Sequence, residues 1–92
     1  MSQPHFFYDS AVSGGFASTG WMYLPFNFYA RSMIIVAPYN TNTDDIFFSW
    51  DGVNVAGRVQ VSAYAINLQN ATRNGIYIKA NSGTQGGMIT AY

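Results

Sequence analysis

The chain has 92 residues, no cysteine, one histidine and four acidic against four basic side chains, for a formal net charge of zero. A chain of this length forms one small domain that buries only about 60% of its unfolded surface; no disulfide can staple it, and His5 alone cannot assemble a conventional zinc site. Arg31, Arg58, Arg73 and Lys79 are scattered and make no basic face for phosphate, which sets nucleic acid aside as a partner. No apolar run approaches the ~18 residues that a membrane-spanning helix needs.

Residues 1–30 are aromatic-rich, with Phe6, Phe7, Tyr8, Phe16, Trp21, Tyr23, Phe26, Phe28 and Tyr29 set among Gly, Ser and Pro. Pro4, Gly14, Gly15, Gly20 and Pro25 break every window long enough for a helix. One strand is predicted over 17–24, between the Gly14-Gly15 turn signal and Pro25. The N-terminus lacks the basic start, apolar stretch and small-residue site of a secretory signal, so the mature protein is expected to begin near Met1.

From Ser32 onward the pattern sharpens into β-branched and aromatic runs divided by turn residues. Ser32 to Ala37 is a strand that Pro38 ends, and 40–44 is a polar loop. Asp45 to Trp50 is a second strand, with Ile46, Phe48 and Trp50 on one face and Phe47 and Ser49 on the other. Asp51-Gly52 supplies a tight hairpin turn, and Val53 to Val61 is expected to return as a strand bulged at Gly57. Ser62 to Leu68 suits a strand continuation or a short helical turn equally. Beyond 69–73, Asn74-Gly75 reads as another turn. Ile76 to Lys79 follows as a strand with both isoleucines inward, then a flexible polar loop over 81–87, and Met88 to Tyr92 as a closing strand.

Five or six short strands with no convincing helix define the expected fold: all-β, a small antiparallel β-sandwich or jelly-roll-like domain over 31–92, with an extended aromatic-rich N-terminal segment over 1–30. The expected core is Ile35, Ile46, Phe48, Trp50, Val59, Val61, Ile76, Ile78 and Ile89. Only 9% of residues are charged, far below the roughly 25–35% that keeps a small free-standing surface soluble. With seven Phe, seven Tyr and two Trp, that shortfall predicts a surface covered by other subunits. Phe6, Phe7, Tyr8, Phe16, Trp21, Phe26 and Phe28 are the predicted interface residues, on the reading that the first segment reaches onto a neighbour, where aromatic side chains act as anchors. The competing reading packs that segment onto its own sandwich.

Catalysis has little to stand on. His5, Asp9 and Ser10 make a triad only on paper, and Gly14-Gly15 and Gly86-Gly87 match no phosphate-binding loop. Asp44, Asp45 and Asp51 flank one hairpin and could offer oxygens to calcium, helped by Asn40, Asn42 or Asn54, but turn chemistry explains them better. No enzyme activity, cofactor or metal is expected. Asn70-Ala71-Thr72 matches a glycosylation pattern without a secretory signal to give it meaning. Trp21, Tyr39 and Trp50 beside amides could form a sugar-stacking platform, which makes a lectin-like module one alternative.

Arg31 to Val36 (RSMIIV), the polar loop after it, Ile46 to Gly52 (IFFSWDG), Gly75 to Lys79 (GIYIK) and Ile89 to Tyr92 (ITAY) together resemble small β-sandwich proteins encoded among bacteriophage virion genes. The resemblance covers roughly residues 31–92 and is one of strands and turns. It implies a capsid decoration (cement) protein that stabilises a phage shell, made in the host cytoplasm and located in the virion. Its implied partners are the major capsid protein or other virion subunits and copies of itself, a trimer first. A tail or head–tail connector component is the alternative within the same family.

Overall fold

The computed structural model describes residues 5–38, 42–61 and 65–92. Strands dominate: β1 (Phe6–Asp9), β2 (Phe16–Ala17), β3 (Met22–Val36), β4 (Ile46–Ser49), β5 (Gly57–Val59), β6 (Ala65–Ala80), β7 (Thr84–Gln85) and β8 (Met88–Ala91). The one helical element among the described residues is a single turn, α1 (Ser10–Ser13), begun by Asp9, whose carboxylate accepts the Ala11 N–H. Six strands form an antiparallel sheet in the order β1-β8-β3-β6-β4-β5, and β2 and β7 pair separately.

Two long strands carry the architecture. The first part of β3, Met22 to Pro25, pairs with β6 at Gly75 to Ile78, whereas its last part, Ser32 to Val36, pairs with β6 at Ala65 to Gln69. Between these stretches the ladder is offset twice, with residues 26–29 of β3 opposite Asn74 alone and then 70–72 of β6 opposite Arg31 alone. Extra residues of this kind bend a strand and increase its twist. Thr72 takes a left-handed φ of 48° within the second offset. The shared pair therefore turns a corner. On one side lie β1 and β8 with the end of β3; on the other lie the beginning of β3, β4 and β5.

The core is the antiparallel, sandwich-like interior between these two layers. Met33, Ile35, Ile46, Ile76, Ile78 and Ile89 are completely buried, and Phe48 and Val59 almost so. Val61 is half-buried, and Trp50 packs against the core rim, its ring edge-on to Phe48 at 5.6 Å. Phe16 is inserted from β2 and is wholly enclosed, with its ring 5.4 Å from that of Tyr8.

The predicted division at residue 30 falls inside β3, so residues 6–30 are part of the sandwich rather than an extension of it. The strand expected over 17–24 is split: β2 ends at Ala17 and β3 begins at Met22. The return strand expected from Val53 starts only at Gly57, because Asp51 stitches the preceding loop, its carboxylate accepting from Val53 N, Asn54 N and Asn54 Nδ2. Asn74-Gly75 is no turn but lies within β6. Over 62–68, where a strand continuation and a short helical turn were equally suited, the chain is a strand from Ala65; residues 62–64 lie outside the described residues, as do Asn40 and Tyr39.

The segment over 81–87, read as flexible, is held by a polar clasp. The buried Asn42 amide donates to Gly86 O at 2.9 Å and accepts from Gly86 N at 2.7 Å, imitating a strand partner. Gln85, also buried, accepts from Thr43 N and Asp44 N and donates to Thr43 Oγ1 and Ser82 O. Asp44 accepts from Asn81 Nδ2 and Ser82 Oγ.

Candidate interaction surface

The seven aromatic residues predicted to face a partner divide by burial. Phe16 and Phe26 are interior, so neither ring is available to a neighbour without rearrangement. Phe6, Tyr8 and Phe28 are half-buried against the same core, with Phe6 and Phe28 lying 4.8 and 5.9 Å from Phe26. Burial raises the Tyr8 hydroxyl above its ordinary pKa, and the group donates to Gly14 O. Phe7 alone of the seven is exposed, at 54% on edge strand β1, and Trp21, half-buried just before β3, is not among the rings packed on the core.

Trp21 belongs to a row that crosses the outer face of the second layer. Lys79 on β6 is opposite Phe47 on β4, and Phe47 is opposite Arg58 on β5. Trp21 stands beside Lys79 at the other end. Cations and rings thus alternate across the sheet, with Lys79 Nζ 4.6 Å from the Trp21 ring centre and the Arg58 guanidinium 5.2 Å from that of Phe47. The adjacent row holds Tyr23 and Tyr77, with ring centres 4.6 Å apart. Gly75 and Gly52 make room for these two rings: a Cβ would come within 2.5 Å of the Tyr23 hydroxyl at Gly75 and 2.9 Å of the Tyr77 ring at Gly52.

Arg73 lies 4.5 Å over Trp50, so three of the four cations cap aromatic rings. A ring face occupied by a cation is not free to stack on a pyranose, which weakens the sugar-platform reading for Trp21 and Trp50. The acids are likewise engaged. Asp45 pairs with Arg58 at 3.3 Å and accepts from Val61 N. Asp44 titrates below the ordinary carboxylate range because Ser82, the Asp45 N–H and Asn81 bond its charged form. Asp51 is lowered further by the N–H groups of Asn54 and Val53, then by the side chains of Asn54 and Ser49.

Asp44, Asp45 and Asp51 are thus each satisfied by local partners, and among the described residues no three His, Cys, Asp or Glu side chains gather as metal ligands would. Of the paper triad, Asp9 caps α1 and Ser10 Oγ accepts from Gly87 N at 2.8 Å. No described helix is long and apolar enough to cross a membrane.

Sequence pattern could suggest that Phe47 and Lys79 point outward, but not that they are neighbours. Their register depends on β4 pairing with β6 across the 31 residues between Phe47 and Lys79, which no local signal encodes. Compared with known proteins, the chain matches no family model and no curated sequence.

Proposed function

We propose that this protein is a non-enzymatic structural subunit of a phage virion, a capsid decoration protein that binds and stabilises the shell through the outer face carrying Trp21, Lys79, Phe47 and Arg58. The observation that carries the binding part is the pairing of cations with rings. Covering an unpaired charge costs several kcal/mol, whereas a cation already lying on a ring keeps a favourable contact that strengthens from about 0.5–1 kcal/mol in water to about 2 kcal/mol or more when desolvated. Such a face loses little when a partner covers it. Aromatic and arginine side chains also supply most interface hot spots, and the low charge of the whole chain fits a subunit that spends its life against neighbours. The virion part rests on the resemblance of residues 31–92.

The test is quantitative mass spectrometry of particles purified from cells that carry the gene, with wild type and Trp21→Ala/Phe47→Ala compared. Hundreds of copies per particle, lost in the double variant, are expected. A dozen or fewer copies would shift the assignment to the tail or connector, and absence from particles would end the virion reading. Full occupancy by the double variant would remove this face from the interface.

A further inference from the structure

Among the described strands, β1 is one edge of the six-stranded sheet, and apart from its short length and Asp9 it has little to protect that edge. β5, at the other edge, is three residues long and carries Arg58; β1 has no proline, no bulge and no lysine, and it exposes Phe7.

The direction of its backbone follows from its neighbour. Ser10 N donates to Gly87 O at 3.0 Å, which makes Ser10 and Gly87 a hydrogen-bonded pair. Such pairs alternate along an antiparallel ladder, so Tyr8 and Phe6 also bond β8, at Ile89 and Ala91. The far side of β8 agrees: Tyr92 exchanges both bonds with Ser32 of β3, leaving the odd-numbered residues of β8 to β1. His5 and Phe7 consequently turn both their N–H and C=O groups outward from the sheet edge, and Asp9 its N–H, the Asp9 C=O already accepting the first bond of α1.

We propose that this edge pairs with the same edge of a second copy, antiparallel and centred on Phe7, to make one continuous sheet across a two-fold axis. The strand's own side chains select that register. With Phe7 opposite Phe7, His5 of each chain lies opposite Asp9 of the other. Asp9 Oδ1 accepts the Ala11 N–H at 3.0 Å, and Oδ2 is the oxygen left for the partner's imidazole. Sliding the strands until Asp9 meets Asp9 places like charges together, which is unfavourable, and forfeits the outer bonds. The Phe7-centred register pairs Phe7 with Phe7 through both backbone bonds and gives each Asp9 N–H the other chain's His5 C=O, the same contacts on both copies, as an isologous interface requires. The proposal does not depend on which particle the protein belongs to.

Analytical ultracentrifugation of the full chain over a range of concentrations tests it, with circular dichroism melts of each variant. A monomer–dimer equilibrium is expected. Phe7→Pro removes only an outward N–H and is compatible with an edge position, so it should abolish dimerisation while leaving the monomer folded. His5→Asp, at an exposed site, should raise the dimer Kd about tenfold or more, because both His–Asp contacts become Asp–Asp. His5→Asp/Asp9→His should recover most of that loss. A chain that is monomeric throughout overturns the proposal, as does a trimer, or a dimer indifferent to Phe7→Pro and His5→Asp.

Discussion

Replacing Phe16 by alanine separates an aromatic segment built for a partner from one built into the fold. The side chain is wholly enclosed, packs on Tyr8, and lies so close to Gly87 that a Cβ there would come within 3.0 Å of its ring. Removing a buried phenylalanine costs about 3–5 kcal/mol, the lost transfer energy plus the cavity left behind. A domain of this size has roughly 5–14 kcal/mol of stability in total. At about 4–8 °C per kcal/mol, the isolated monomer should melt some 12–40 °C lower, or fail to fold when its stability lies at the low end. Phe7→Ala, at a half-exposed position, should move the melting temperature by only a few degrees. Thermal denaturation at a concentration low enough to exclude association compares the two directly. A Phe16→Ala protein melting within 3 °C of wild type would refute the placement of this residue in the core, and with it the inclusion of residues 6–30 in the sandwich.

Three further outcomes are expected. Gly57→Ala should destabilise by about 1–3 kcal/mol through overpacking, since its Cβ would fall 2.4 Å from the buried Phe48 ring. Gly75→Ala should cost less, because the Tyr23 ring it meets is 45% exposed and can swing outward; equal losses in denaturant titrations would contradict this. Asn42→Ala should cost about 2 kcal/mol or more, as it strips the partners from both Gly86 backbone groups in a part-buried site, and amide exchange at Gly86 should accelerate. Asp51 titrates below its ordinary 3.8 in the folded state, so the unfolded chain takes up its proton first as pH falls. Its contribution is complete above about pH 4 and declines below it. The melting-temperature gap between wild type and Asp51→Asn should therefore narrow from pH 6 toward pH 2.5, and a constant gap would show that the carboxylate's charge plays no part.

The strands over 32–37, 45–50, 76–79 and 88–92 were legible because alternation and β-branched content directly reflect one buried face. Ile35, Ile46, Phe48 and Ile76 followed from the same signal. What escaped was set by distant pairing. Pro25 suggested a strand end, yet β3 continues through it, because at that point its neighbour among the described strands is β6 alone, and its other side needs no N–H donor. Asn74-Gly75 carried a turn signature, but Gly75 is present for space: it faces Pro25 and lies under the Tyr23 ring. The polar composition of 81–87 suggested mobility, although its partners, Asn42 to Asp44, lie some forty residues earlier and were equally unremarkable alone. Aromatic density in residues 1–30 was visible. Whether those rings face inward or outward depended on β1 finding β8, which composition does not encode. The alternating row of Trp21, Lys79, Phe47 and Arg58 was hidden for the same reason.

Pairing of the first strand with the last sets a timing problem for biosynthesis. Phe6 is matched with Ala91, and at about 5–20 residues per second a ribosome needs roughly 4–17 s to span that interval. For part of it, an apolar strand bearing Phe6, Phe7 and Tyr8 is outside the ribosome while its hydrogen-bonding neighbour has not yet been made. Nascent chains on one polysome would hold such strands close together, where they could bind one another or a chaperone before they can close their own sheet.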